Sequence, residues 1–135
     1  MKGLGILIAT ALAVTGCFRE ARPAEDHAMR NGYDWLGERW VDGAVDHDAL
    51  HVGRRDGRFT SLMVVVEHAP VEIFDMQVTF GDNQVWNVPM RLVFGPDSTS
   101  RNIDLPGGVR VIRRVDFRYA SLAAGARARV ELWGR

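Results

Sequence analysis

Acidic and histidine side chains are densest between residues 42 and 51. Asp42, Asp46 and Asp48 stand there close to His47 and His51, and carboxylate oxygens and imidazole nitrogens are common metal ligands. On a strand, Asp46 and Asp48 share one face and the two histidines share the other. The spacing lacks the glycine and distal glutamate of an EF-hand loop. We therefore predict no bound metal and no other cofactor, and keep Asp46, Asp48 and His51 as weak candidates for a metal-dependent hydrolase.

Arginines are concentrated in the last third of the chain. Three of them recur every four residues, about 13 Å apart on a strand, and two more share a strand face with a tryptophan. If these strands are neighbours, they form one face that binds anionic polymers such as acidic glycans. The alternative is a solvated sheet face whose arginines pair with Asp104, Asp116 and Glu131, each pair contributing only a fraction of a kcal/mol. The candidate ligand-binding residues are Arg110, Arg114, Arg118, Arg127, Arg129 and Trp133.

Three further tryptophans, Trp35, Trp40 and Trp86, have the residue type that stacks on sugar rings. The alternative is packing against the core or a hairpin, which is favoured for Trp86.

The sequence offers no recognisable catalytic machinery. Ser61 stands in an apolar run, and no G-x-S-x-G elbow, glycine-rich phosphate loop or dinucleotide fingerprint is present. Gly107 and Gly108 follow a proline and predict a turn. We predict a protein without catalytic activity.

The composition of the chain excludes several further classes of protein and of site. The chain has 135 residues with 17 basic and 17 acidic side chains, so its charge gives no case for a nucleic-acid binder. A hydrophobic fraction of 47% and a charged fraction of 25% are typical of one globular domain. The single cysteine excludes an intrachain disulfide and cysteine-rich zinc sites.

The first seventeen residues have the features of an export signal. Lys2 precedes an apolar run from Gly3 to Val14, which as a helix is about 18 Å long, too short for a bilayer core of about 30 Å. Such a run is typical of a signal peptide. The segment that follows, Val14-Thr15-Gly16-Cys17, resembles the lipobox of bacterial lipoproteins. The resemblance implies that the signal is cleaved before Cys17, whose thiol is diacylated and whose new amino terminus is acylated.

The alternative is an ordinary signal cut after Ala13, which leaves Cys17 as a free thiol. Two or three acyl chains would give a stable membrane anchor, because each buried methylene contributes about 0.8 kcal/mol. Phe18 stands where an inner-membrane retention signal would have Asp, which favours the outer membrane. The predicted organisation is a signal peptide over 1–16, a flexible tether over 17–32 and a folded domain over 33–135.

Alternation with period two dominates the predicted domain. Residues 74–80 and 86–94 alternate apolar and polar side chains around Gly81-Asp82-Asn83, which predicts a hairpin. Pro89 cannot donate to a ladder and predicts an edge or a bulge. Residues 59–67 are almost continuously apolar, as in a strand buried on both faces. About eight such strands predict an all-β fold, an antiparallel β-sandwich of the jelly-roll type.

Residues 33–135 resemble a family of small exported bacterial proteins catalogued only as a domain of unknown function, and the resemblance implies no catalytic residue. The pattern that carries it is Trp35-Leu36-Gly37, Asp46-His47-Asp48, Gly57-Arg58-Phe59, Ile103-Asp104-Leu105-Pro106-Gly107-Gly108-Val109-Arg110, Val115-Asp116-Phe117-Arg118-Tyr119 and Trp133-Gly134-Arg135.

These observations predict an envelope-anchored lipoprotein on the periplasmic face of the outer membrane. Its domain is expected to be a non-catalytic binding or structural module for a cell-envelope polymer or anionic glycan. One alternative is an assembly subunit that docks on another envelope protein through an exposed strand edge. The other is the hydrolase considered above. The expected partners are the membrane, through the lipid, and an envelope polysaccharide or protein, with no nucleic acid.

Overall fold

The structure is a computed structural model and describes residues 22–135. The predicted signal peptide, the lipobox with Cys17, the alternative cut after Ala13 and the first part of the predicted tether lie outside the described residues. Within residues 22–135, no helix is long and apolar enough to cross a membrane.

The described chain consists of short strands with one α-helix at its beginning and one turn of 3-10 helix at Arg54–Asp56. The elements are α1 (Pro23–Arg30), β1 (Asp34–Asp42), β2 (Asp46–His51), β3 (Ser61–Glu67), β4 (Val71–Phe80), β5 (Val85–Asn87), β6 (Leu92–Phe94), β7 (Ser98–Thr99), β8 (Ile103–Asp104), β9 (Ile112–Ser121) and β10 (Arg127–Gly134).

The strands form two antiparallel sheets. The first sheet has the order β1-β10-β3, and β7 and β8 pair one after the other with the free edge of β3. The second sheet has the order β2-β9-β4, and β5 and β6 pair in the same way with the free edge of β4. Ten segments therefore fill eight strand positions. Their order is that of a jelly roll, in which the chain crosses repeatedly between two sheets. The predicted fold class is confirmed, as is the hairpin at residues 81–84, and Pro89 lies at the edge between β5 and β6.

The loops gather at two opposite ends of the sandwich. Loops 52–60, 81–84 and 105–111 lie at one end, which we call the Arg110 end. Loops 43–45, 68–70, 95–97 and 122–126 lie at the other, which we call the Asp97 end. Nine residues of β1 span the distance between them, about 30 Å.

The main core lies between the two sheets. Leu62, Val64 and Val66 on β3, together with the apolar residues of β10 beside it, face Ile73 and Val78 on β4 and the apolar residues of β9. The other face of β3 is buried as well, because Met63 and Val65 lie under α1. The prediction that this strand is buried on both faces is confirmed.

The predicted flexible tether is wrong for residues 23–30, which form α1. Ala24 and Ala28 are buried against Met63, Val65 and Trp133 on the outer face of the first sheet. An isolated helix of eight residues is marginal in water, so it is the packing against the sheet that stabilises it. Its N-terminus lies at the Asp97 end, where the Ala24 backbone N–H donates to Asp97 Oδ1 at 3.1 Å.

Two β-bulges interrupt the strict alternation of buried and exposed side chains that the sequence predicts. Ile73 and Asp75 pair with consecutive residues of β9, so Phe74 is an extra residue and is only half-buried. On β9 the extra residue is Arg113, so that Ile112 and Val115, three positions apart, both point into the core. A bulge shifts the side-chain register by one residue, and a strict period of two cannot anticipate it.

Candidate functional site

The predicted single face of arginines and Trp133 does not form. Arg114 and Arg118 lie on β9 in the second sheet, whereas Arg127 and Arg129 lie on β10 in the first. Arg110 belongs to neither strand and lies in the loop before β9, at one end of the sandwich. The two strands are consecutive in the chain but belong to different sheets, because the jelly-roll connection crosses the sandwich.

The exposed arginines of β9 match the alternative of a solvated, paired face. Arg114 Nε donates to Asp116 Oδ2 at 3.0 Å, and Arg118 Nη1 lies 3.4 Å from Asp75 Oδ2. Both arginines are about half exposed, so each pair contributes little to stability.

Arg127 is also engaged at the surface. Its guanidinium lies 3.6 Å from Asp42 Oδ2 and 5.0 Å from the centre of the Trp40 ring. The Trp40 ring stacks on His68 at a centroid distance of 5.3 Å. The third candidate aromatic residue, Trp86, packs against the main core, as predicted.

Arg129 is the centre of a buried ionic cluster under α1. It is only 6% exposed, and its Nη2 donates to Glu25 Oε1 at 2.9 Å. Its Nε lies 3.4 Å from Glu131 Oε1 and 3.5 Å from Glu38 Oε2, yet makes no hydrogen bond. A buried guanidinium with an unsatisfied donor is costly, which marks this cluster as a candidate site.

Two carboxyl groups in this cluster interact directly. Burial, and then a hydrogen bond to Glu25, raise the pKa of Glu131 to about 8. Burial also acts to raise the pKa of Glu25, but hydrogen bonds with Glu131 and Arg22 outweigh it and lower the pKa. Glu131 therefore keeps its proton at neutral pH, and Trp133 Nε1 donates to its Oε2 at 3.3 Å.

The cluster lines a cleft of about 550 Å³ between α1 and the outer face of the first sheet, which we call the α1 cleft. Tyr33 and the buried Trp133 supply aromatic surface, and Trp35 at the start of β1 is 53% exposed. The remaining lining residues are Arg22, Glu25, Met29, Asp34, Glu38, Arg129 and Glu131.

The candidate metal ligands on β2 do not converge. Asp48 Oδ2 accepts a hydrogen bond from the Tyr119 hydroxyl at 2.5 Å, and Asp46 accepts one from the His47 backbone N–H. Burial and the Asp48 carboxylate raise the pKa of Tyr119 far above its usual range. His51 lies exposed opposite Arg114. Among residues 22–135, no three His, Cys, Asp or Glu side chains could hold a metal ion together.

A second pocket, of about 360 Å³, lies at the Arg110 end. Arg110, one of the predicted residues, lines it together with Arg54, Arg58, Phe80 and Asp82. Sequence analysis missed Arg54 and Arg58. The available signal was a run of arginines between Gly53 and Phe59 in a loop, outside any alternating segment.

The fold therefore defines a jelly-roll sandwich with a mixed-charge cleft on one sheet and an arginine-lined pocket at one end. The chain belongs to the family described as Domain of unknown function (DUF2541), which matches residues 6–134. This confirms the predicted resemblance to a family catalogued in those terms.

Comparison with solved structures finds a similarity to a mutant of a family 29 carbohydrate-binding module. The sequence identity is 20%, the alignment covers 78% of this chain and 82% of the other, and the TM-score is 0.37. A similarity at this level carries no argument about ligands. No curated protein matches the chain.

Proposed function

We propose that the chain is a non-catalytic glycan-binding module of the bacterial cell envelope and that the α1 cleft is its binding site. The observation that carries the proposal is the exposed Trp35 ring beside a cleft whose floor holds the buried Arg129 guanidinium, one donor of which, Nε, makes no hydrogen bond. A sugar ring offers C–H groups that stack on an indole and hydroxyl groups that both donate and accept. Pockets that combine aromatic surface with a few fixed polar groups are typical ligand sites.

The polar groups of the cleft suit the hydroxyl groups of a sugar. The Glu38 carboxylate can accept hydrogen bonds and the Arg22 guanidinium can donate them, since about one third of each side chain is exposed in the cleft. Their positions are held by ion pairs with the buried Arg129 and Glu25, so little side-chain freedom is lost on binding.

The charge of the cleft favours an uncharged sugar over an anionic one. Four carboxyl groups and two guanidinium groups line it. Even with Glu131 protonated, an excess of negative charge remains, and this would repel a carboxylated or sulfated chain. The α1 cleft is thus suited to the neutral part of an envelope polymer.

The test uses the soluble chain without residues 1–16 and two probes, an N-acetylglucosamine tetramer in calorimetry and isolated peptidoglycan sacculi in sedimentation. We expect Trp35→Ala to weaken binding of the tetramer at least tenfold, if a sugar ring stacks on this indole as strongly as a nucleobase stacks on an aromatic side chain, which contributes on the order of 1–3 kcal/mol. Trp40→Ala is the matched control: this exposed tryptophan of the same strand stacks on His68 and does not line the cleft, although its ring lies 5.9 Å from the Arg129 guanidinium, so the unfolding free energies of both variants are compared as well. Absence of binding to both probes, or equal weakening in the two variants, would overturn the proposal.

We further propose that Cys17 carries the lipid that anchors this module to the outer membrane, facing the periplasm. Four residues separate Cys17 from Arg22, which limits the distance between their Cα atoms to about 18 Å. The folded domain would then stand close to the membrane, with the Asp97 end towards it.

Mass spectrometry of protein extracted from membranes tests the anchor. We expect an N-terminal Cys17 bearing two or three acyl chains, and release of the Cys17→Ser variant into the soluble periplasmic fraction. Wild-type protein that begins at Val14 and carries a free thiol would refute the anchor while leaving glycan binding untouched.

A further inference from the structure

We propose that the pocket at the Arg110 end is a second ligand site, which binds a phosphate monoester. This pocket, hereafter the Arg110 pocket, is independent of the α1 cleft. It lies at the end of the sandwich formed by loops 52–60, 81–84 and 105–111, whereas the α1 cleft opens on the outer face of the first sheet.

The Arg110 guanidinium is fixed in place before any ligand binds. It lies 3.8 Å from the centre of the Phe80 ring, and its Nη1 donates to the Pro106 carbonyl oxygen at 2.9 Å. Its Nη2 donates to Gln84 Oε1 at 2.8 Å and lies 3.4 Å from Asp82 Oδ1. A stacked and hydrogen-bonded arginine loses little entropy when it binds an oxyanion.

Gly107 is required for this arrangement. A Cβ at this position would come within 3.0 Å of Arg110 Nη1, and the backbone φ of +84° is one that residues with side chains rarely adopt. The tight turn after Pro106 thus leaves room for the guanidinium against the pocket wall.

The other two arginines of the pocket have no partner within the part of the chain that the structure describes. The side chains of Arg54 and Arg58 form no ion pair and no hydrogen bond with any residue between 22 and 135. The nearest acid in their own loop, Asp56, is engaged locally, since its Oδ2 accepts a hydrogen bond from the Gly53 backbone N–H at 2.9 Å. Both guanidinium groups are therefore available to a ligand.

The charge of the pocket matches a phosphate better than a carboxylate. Its lining holds three guanidinium groups and one carboxylate, that of Asp82, so two positive charges are unmatched. A phosphate monoester carries about −1.5 to −2 at neutral pH, whereas a carboxylate carries only one negative charge. Arginine forks also bind phosphate oxygens in a bidentate manner.

The position of the pocket favours a polymer over a lipid headgroup of the anchoring membrane. The chain enters the domain at the Asp97 end, where α1 begins, and the Arg110 pocket lies about 30 Å away at the opposite end. If Cys17 holds the protein to a membrane, the pocket faces away from it. The α1 cleft, which suits an uncharged sugar, and the cationic Arg110 pocket would then engage different parts of the envelope.

The experiment is a calorimetric titration of the soluble chain with glucose 6-phosphate at low salt. We expect binding at least tenfold tighter than that of glucose, weakened at least tenfold in the double variant Arg54→Gln, Arg58→Gln and reduced by added salt. The matched control is Arg114→Gln, Arg118→Gln, which removes the same charge from the exposed face of β9 and should change the affinity less than twofold.

Further titrations distinguish a phosphate monoester from free phosphate and from a lipid headgroup, and the Arg110 pocket from the α1 cleft. Equal affinity for inorganic phosphate, equal weakening in the two double variants, or no preference over glucose would overturn the proposal. Binding to phosphatidylglycerol vesicles that is lost in the Arg54, Arg58 variant, without binding of glucose 6-phosphate, would overturn it in favour of a lipid. Trp35→Ala should leave glucose 6-phosphate binding unchanged, so failure of the α1 cleft proposal is recognised separately.

Discussion

Glu25 and Arg129 stand 104 positions apart in the sequence, yet Glu25 Oε1 accepts a hydrogen bond from Arg129 Nη2 at 2.9 Å with both side chains more than nine-tenths buried. This pair connects α1 to the first half of β10. It also forms one wall of the α1 cleft, so the helix that follows the predicted lipid anchor is part of the proposed binding site.

Replacing Glu25 with alanine should destabilise the protein. The substitution leaves the Arg129 guanidinium buried without its closest acceptor, and breaking a buried ion pair in this way costs on the order of 3–5 kcal/mol. Undocking of α1, which would let water reach Arg129, limits the loss. We therefore expect a decrease of about 3 kcal/mol in the free energy of unfolding, measured by urea denaturation.

Asp26→Ala is the matched control for this prediction. It removes the same charge from the next position of α1, where no ion pair is present in the described structure, and should change the unfolding free energy by less than about 0.5 kcal/mol. A Glu25→Ala variant as stable as the control would show that the pair does not hold the helix.

The stability of the protein should fall as the pH rises from 5 to 9. Burial and the neighbouring Glu25 raise the pKa of Glu131 from an unfolded value of 4.5 to about 8, so the folded state binds a proton that the unfolded state releases. This contribution is complete below pH 4.5 and is lost as the pH rises through 8. Burial raises the pKa of Glu67 as well, which adds a loss of the same sign.

Glu131→Gln isolates the contribution of Glu131, because the amide is close in shape to the protonated acid and does not ionise. In urea denaturation at a series of pH values, we expect this variant to be more stable than the wild type at pH 9 by about 4 kcal/mol, with a difference of less than about 1 kcal/mol at pH 5. Glu72→Gln, on the second sheet beside Arg91, is the control and should keep the wild-type slope. A Glu131→Gln variant with an unchanged slope would contradict the assignment.

The sequence predicts the fold better than the site, for a physical reason. Alternation reports which side chains of a strand face the core, and that suffices for a jelly-roll sandwich in which most strands have one buried face. It does not report which sheet a strand joins, so it cannot show that β9 and β10, which are consecutive in the chain, belong to opposite sheets.

The two candidate pockets depend on contacts that leave little trace in the sequence pattern. The apolar side of α1 consists mainly of Ala24 and Ala28, small residues that give almost no hydrophobic periodicity. Arg54 and Arg58 belong to a loop and follow no strand alternation. Burial of Glu131 is equally invisible, because a glutamate on an outer sheet face is ordinarily solvated, and it is the covering helix that makes this face a second interior.

Tyr119→Phe should destabilise the protein by about 1–3 kcal/mol. The buried hydroxyl of Tyr119 donates to Asp48 Oδ2 at 2.5 Å, and its removal leaves that half-buried carboxylate without this donor. Urea denaturation at pH 7 measures the loss. The double variant Tyr119→Phe, Asp48→Asn should recover part of it, since the unpaired charge is then gone, and a double variant less stable than the single one would contradict this account.

A methyl group added at Gly134 should be much more harmful than one added at Gly95. A Cβ at Gly134 would lie 2.7 Å from Phe59 Cδ1 and 2.9 Å from Leu36 Cδ1. A Cβ at Gly95 would meet nothing within 4 Å. Overpacking of this kind costs about 1–3 kcal/mol. We expect Gly134→Ala to lower the unfolding free energy by that amount in urea denaturation, and Gly95→Ala to leave it unchanged or raise it by up to about 1 kcal/mol, because alanine restricts the unfolded chain. Equal effects of the two substitutions would show that Phe59 and Leu36 can move aside, and that the C-terminal end of β10 is less tightly packed than its contacts indicate.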